Sequence, residues 1–230
     1  MAKFKLFGLI PKKKGISSDE FHDHYRHPHG TLGLNISTLR SYVQSHQINT
    51  PFLNEKQYQF DAIAEIWLDS VSDVLNFREE PSLVKYIIDD ELNFVDMENL
   101  EFLATEENVL ISSPDARDQS IPDGDRMWSP FNRPVSIKVL QFIGLEGRDY
   151  WPNGDALELS KRLSVFRHVE CYPSNAIHND EPPFIGAREL WWPTLSAFKK
   201  AVEKDPDAFS KLVTDVPDAI TLLVQAERWL

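Results

Sequence analysis

Four of the seven histidines fall within eight residues, His22, His24, His27 and His29, and imidazole is the side chain that exchanges a proton most readily near neutral pH. On a helix His24 and His27 share a face at i, i+3 while His22 projects elsewhere, so the cluster offers two converging ligands at most. No cysteine or carboxylate pattern nearby completes a set, and no metal site is expected. His22, His24 and His27 read as solvated helix histidines. His29 stands apart. Pro28 disfavours the helical conformation just before it and Gly30 supplies a flexible exit, which predicts a helix-to-loop corner at His29. It is the first candidate for a general acid or base, although the same ring could instead satisfy carbonyls that the helix end leaves free.

Strand alternation groups a second set. Tyr42, Gln44 and His46 share one face, and Ser41, Val43 and Ser45 the other. His168, Glu170 and Tyr172 stand in the same phase later in the chain, so a polar-lined cavity is expected in preference to a solvated sheet surface. Tyr42 and His46 would donate hydrogen bonds to an enolate or phenolate oxygen, with Gln44 beside them and Tyr25 and Trp67 shaping an apolar wall. Glu65 shares its face with Ile63 and Trp67, a half-buried setting that suits a proton-transfer carboxyl. It suits equally an acceptor of hydrogen bonds from Tyr or Arg across two sheets, and Glu189 in the same context favours that structural role. Cys171 has no base beside it, and no Gly-x-Ser-x-Gly, GxGxxG or GxxxxGK[ST] pattern occurs, which argues against nucleophilic, dinucleotide and ATP chemistry. No cofactor is expected.

These groups hang on a readable order of elements. Residues 3–10 read as a strand ending at Pro11 and the turn through Gly15. Ser17 or Ser18 caps a helix running to about His27, with Asp19 and Glu20 favourably placed in its first turn. Residues 39–48 and 60–68 read as strands. A helical stretch begins near Val71 and ends by Pro81 or continues, broken, toward Asp90, before a strand over 100–111. Residues 112–134 hold Pro114, Pro122, Pro130 and Pro134 among aspartates and read as a linker, one that packs as a strap because it carries Trp128 and Phe131. The remainder repeats the pattern: strand from 136, helix 154–163, strands 165–173 and 184–192, helix 194–204 and strand 219–230. Glu65 to Glu189 and Trp67 to Trp191 are each separated by 124 residues, the mark of an internal duplication.

At 230 residues the chain suits two units of about half its length each. A formal net charge of −12 repels phosphate backbones and anionic lipid heads, so neither nucleic acid nor membrane is an expected partner. One cysteine forms no intrachain disulfide, the N-terminal residues meet charges too soon for a signal-peptide core, and no apolar run approaches the ~18 residues of a bilayer span. A cytoplasmic protein is expected.

The stretches KLFGLIPKKKGISSDEFHDHYRHPHG, LRSYVQSH and FDAIAEIWLDS resemble the EthD-like domains of the dimeric α+β barrel superfamily. The resemblance spans residues 3–111 and rests on a strand, a Gly-Ile-Ser turn, a Phe-containing helix ending in His-Gly, and Glu-x-Trp on strand three. The second half keeps RELWW but lacks a counterpart of His29-Gly30, and so looks like a degenerate copy. The implied fold class is α+β: two tandem ferredoxin-like βαββαβ units, over 1–111 and 135–230, forming a dimeric-type α+β barrel within one chain around a small-molecule pocket. Each sheet then covers the other, a self-contained pseudo-dimer that still allows a further homodimer. The superfamily spans many chemistries. The expected function is cofactor-independent proton transfer, as an isomerase, cyclase or lyase, on a hydrophobic molecule of aromatic or polyketide-like character. Rival expectations are a non-catalytic binding or accessory protein of a catabolic pathway, and a haem or oxygen-handling protein, which would need a histidine facing a large apolar cavity.

Overall fold

The computed structural model describes residues 4–112 and 135–230; the Pro/Asp-rich strap, with Trp128 and Phe131, lies outside the described residues. Eight strands form one closed antiparallel barrel: β1 (Phe4–Ile10), β2 (Ser41–Gln47), β3 (Ala62–Leu68), β4 (Glu101–Ser112), β5 (Val135–Ile143), β6 (Arg167–Pro173), β7 (Gly186–Trp192) and β8 (Ala219–Arg228). Around the barrel they run β1-β3-β2-β8-β5-β7-β6-β4. Each half therefore contributes its four strands in the same spatial order, fourth, first, third, second, and the seams β2·β8 and β4·β6 exchange when the halves are exchanged. The expected α+β barrel of two tandem units is the fold, and among the described residues its closure leaves no edge strand. No helix among the described residues is long and apolar enough to cross a membrane.

Both faces of most of the barrel wall are covered, which is why most strands read as nearly continuous apolar runs; β4, EFLATEENVLIS, is the exception and is exposed at Glu106, Asn108 and Val109. β1, FKLFGLI, is buried at all seven positions. Its odd residues enter the barrel, where Phe7, Leu9, Ile63, Leu140, Phe142 and Leu222 belong to one apolar cluster. Val43, Trp67, Trp191 and Ala226 form another. Eight strands leave an interior just wide enough for side chains, and here they fill it. The cavity described below lies outside this wall, between the sheet and its helices.

Helices cover the outer face. Ser17 caps the helix Ser18–His24 in a full capping box with Glu20, worth about 1 kcal/mol, and the helix buries Phe21 against the sheet. The expected exit at His27 is a kink instead. His27 turns extended (φ −140°, ψ 122°), after which helical conformation resumes through Thr31–Gly33. Pro28 forces the residue before it out of the helical region but opens the next turn readily. His29 consequently sits within a helical segment that presses it toward the sheet, 7% exposed. The second helical region takes the broken form, through Val71–Leu75, Pro81–Leu83, a π turn Val84–Ile88 and Asp89–Phe94. In the second half the helices Ala156–Arg162 and Leu195–Lys204, then Pro206–Phe209 with a π turn Ser210–Thr214, cover β5 to β8. Their layer is packed solid around Val139, Leu190, Trp192, Phe198 and Phe209.

Candidate active site

Between the outer face of the first-half sheet and its helices lies a cavity of about 60 Å³. Gly8 and Ala64, directly opposite each other on β1 and β3, form its floor, while Tyr42, His29, Ile87 and Phe94 stand around it. Arg78 and Glu91 also line it and pair with each other at 2.7 Å.

His29 is held by its Nδ1 against Asp90 Oδ2 at 2.9 Å, and the other carboxylate oxygen, Oδ1, lies 2.9 Å from His24 Nε2. Burial works to raise the Asp90 pKa, but hydrogen bonds from His29 and His24 outweigh it and the carboxyl sits below its ordinary value. An ionised Asp90 accepts the Nδ1–H of His29, fixing the tautomer that leaves Nε2 bare. The side-chain exposures of His29, Asp90 and His24 rise from 9% through 11% to 27%, so the set runs from the cavity wall to the solvent edge.

Tyr42 accepts a hydrogen bond from Gln44 Nε2 at 2.9 Å, and the same amide nitrogen donates to the Tyr25 backbone carbonyl. With its oxygen accepting from Gln44, the Tyr42 hydroxyl proton is free to point elsewhere. Burial raises its pKa well above the phenol range, so the group remains a neutral donor. Tyr25 is fully buried behind it, its own pKa pushed up by burial and then by Tyr42, and its hydroxyl completes no well-formed hydrogen bond.

The remaining candidates separate. The Tyr25 ring stands between His29 and His46, with centroids 5.5 and 5.1 Å away, and His46 faces His22, Nδ1 to Nδ1 at 3.0 Å. Burial, then Arg26, lowers the His46 pKa to about 3. This is a neutral ring outside the cavity. Gln44 supports Tyr42 from behind. Glu65 and Trp67 lie through the sheet, inside the barrel. There each of Lys5 and Lys138 reaches both Glu65 and Glu189, and the four side chains are buried. The partners of Glu65 are thus the two lysines and the Ser45 hydroxyl, where Tyr or Arg was expected. Burial opposes charge on Lys5, but Glu189, Glu65 and Glu107 together raise its pKa. Among the described residues Glu107, Cys171 and Glu189 could converge on a metal ion, but the Lys5 ammonium, 3.5 Å from Glu107 and in contact with Glu189, occupies that position.

The second-half trio does not converge on a cavity either. His168 bonds Ser160 of the covering helix at 2.7 Å, and Tyr172 donates to Glu170 at 2.7 Å. Burial, then Arg188, lowers the His168 pKa to about 3. Below pH ~6.5 the unfolded chain protonates this residue and the folded chain does not, so its effect on stability is nil above that pH and grows unfavourable down to about pH 3. His168→Gln should flatten the acid side of the stability curve by up to about 1.4 kcal/mol per pH unit, read as urea midpoints between pH 7 and 4. An unchanged slope would show that His168 titrates normally.

The comparisons with known proteins agree with this architecture. Residues 13–98 match the family model of the EthD domain. No curated protein sequence matches the chain. Among solved structures, an anthrone oxidase-like protein is 10% identical with a TM-score of 0.57, covering 100% of this chain and 94% of its own. A putative monooxygenase from Fusobacterium nucleatum is 7% identical at a TM-score of 0.50, with coverage of 97% and 91%. A putative chlorite dismutase is 10% identical at 0.50, with coverage of 99% and 95%. At such identities the likeness concerns the fold. The segment that matches the EthD domain, residues 13–98, includes His24, His29, Tyr42 and Asp90 and is set in an eight-stranded α+β barrel.

Proposed function

We propose that the first-half cavity is the active site of a cofactor-independent enzyme that moves protons on a small hydrophobic molecule of aromatic or polyketide-like character, as an isomerase, cyclase or lyase. The observation that carries this reading is the His29–Asp90 contact at the wall of an apolar cavity. A carboxylate that fixes one imidazole nitrogen leaves the other as a base, and it stabilises the imidazolium that forms when the base takes a proton. His29 Nε2 would remove a proton from a carbon next to a carbonyl. The Tyr42 hydroxyl would donate to the oxygen on which negative charge develops, and the imidazolium would return the proton at the new position. Atoms balance without a redox partner. Second-half residues 135–230 read in this scheme as a degenerate copy that serves the barrel.

A carrier protein needs the cavity but has no use for an oriented imidazole, and the paired polar contacts of Asp90 favour catalysis over it. In deuterium oxide the wild-type protein should exchange the acidic carbon-bound proton of a small aryl ketone bound in the cavity, and His29→Ala should not. Binding without exchange in the wild type would return the protein to the carrier class.

A further inference from the structure

The cavity lies in the first half, and among the described residues the barrel register shows what occupies the matching position of the second. Lys5 lies opposite Trp67 and Lys138 opposite Trp191. Three residues further along each pair, Gly8 faces Ala64 in the first half and Gln141 faces Arg188 in the second. All four positions are on the outer face, under the helices. Gly8 and Ala64 present almost no side chain and form the cavity floor. Gln141 and Arg188 are both 0% exposed, and their side chains take up that space. Arg188 Nη1 donates to Gln141 Oε1 at 2.7 Å and to the Leu212 carbonyl, and Gln141 Nε2 donates to the Val213 carbonyl at 2.7 Å. Leu212 and Val213 belong to the π turn Ser210–Thr214, which occupies in the second half the place that Val84–Ile88, with the cavity residue Ile87, holds in the first.

Glycine at position 8 answers no backbone need. Its φ lies outside the left-handed region and a Cβ there would meet nothing nearer than 3.4 Å, the Phe102 ring. The consequence of Gly8 is empty volume. The second-half pair is conversely a poor filler on energetic grounds. Arg188 Nε and Nη2 have no hydrogen-bond partner, and burial lowers the pKa to about 10; a buried cation with unpartnered donors is destabilising relative to an apolar side chain of similar size.

We propose that Gly8 and Ala64 are the residues that decide what the cavity admits, and that Gln141 and Arg188 are a built-in plug closing an equivalent latent site for small uncharged apolar molecules in the second half. This goes beyond the proton-transfer reading and does not depend on it, because it concerns space and not chemistry. Xenon under pressure is a suitable probe, since apolar protein cavities take it up and crystallography locates it. Wild-type crystals should show xenon over Gly8 and Ala64. Gly8→Val and Ala64→Leu should each lose that site while keeping or raising the melting temperature. Gln141→Gly/Arg188→Ala should gain a second site over positions 141 and 188, filled by xenon or ordered water. Xenon retained over the floor in both filling variants would overturn the proposal. So would a folded double variant with neither gas nor water at the new position. Should the double variant fail to fold, the filling variants still decide, because they add atoms to free space. His29→Ala should keep the xenon site, so a failed catalytic reading and a failed cavity reading give different results.

Discussion

His29→Ala should lower turnover by about 10² or more, the loss expected when a general acid or base is removed. The side chain borders a cavity, so the variant should fold, with a modest fall in melting temperature. Asp90→Asn is the sharper companion. Both Asp90 oxygens are engaged, one by each histidine, so an asparagine must present its NH₂ to one of them. Presented to His29 Nδ1, the amide donates where the carboxylate accepted, and the ring proton moves to Nε2, the atom that has to be bare to act as a base. Turnover should fall while substrate binding stays close to wild type, a kcat effect and not a KM effect. His168→Ala should leave turnover nearly unchanged. Equal losses from His29 and His168 variants, or a loss only from the latter, would place the chemistry in the other half.

How much of this site could be read in advance depends on the separation of its parts. His29 and Tyr42 were legible because each stands next to a local signal, Pro28 and Gly30 for one and strand alternation for the other. Asp90 lies 61 residues from His29. In sequence it belongs to the run Asp89-Asp90-Glu91, which looks like a solvated helix turn, and only tertiary packing singles it out. The helix breaks at His27 as the sequence predicts, and its resumption beyond Pro28 has a nearer reason, since proline both ends one turn and starts the next. Trp67, expected with Tyr42 around the pocket, lies inside the barrel while Tyr42 lies outside it, and Glu65 has the cross-sheet role that its repeat in Glu189 favours. Alternation separates two faces of a strand but does not say which is inside, and in a barrel covered on both sides neither face is visibly wet. A signal was nonetheless present. FKLFGLI and SIKVLQFI each carry one lysine, and the third strand of each half carries one glutamate. These two lysines and two glutamates recur at matching positions of the two halves and share one face of the sheet, so burial leaves them little choice but to meet.

That meeting defines the variant with the largest expected cost in stability. Lys138→Met should destabilise the fold by roughly 3–5 kcal/mol, the penalty for removing one member of a buried ionic cluster and leaving its partners uncompensated. With Lys138 gone, Glu65 and Glu189 share the single ammonium of Lys5, which Glu107 also approaches at 3.5 Å. The Met side chain retains the length to lie against Trp191, over which the Lys138 ammonium sits 4.0 Å from the ring centroid, so the loss is chiefly electrostatic. Replacing all four residues, Lys5→Met, Lys138→Met, Glu65→Leu and Glu189→Leu, should restore most of the lost stability, because no buried glutamate is then left short of a cation; Glu107 at the rim and Arg167, which helps hold Glu189 ionised, keep their charges. Urea midpoints for the single and quadruple variants test this directly. A single variant as stable as wild type would mean that water reaches the cluster. A quadruple variant that stays folded but unfolds in two steps would carry more information. Each lysine touches one glutamate from each half, so the cluster ties the halves across the barrel centre, whereas an apolar core joins them without fixing their register. Two transitions would show that the charges are retained for coupling the halves, and a single sharp one would assign that coupling to the seams β2·β8 and β4·β6.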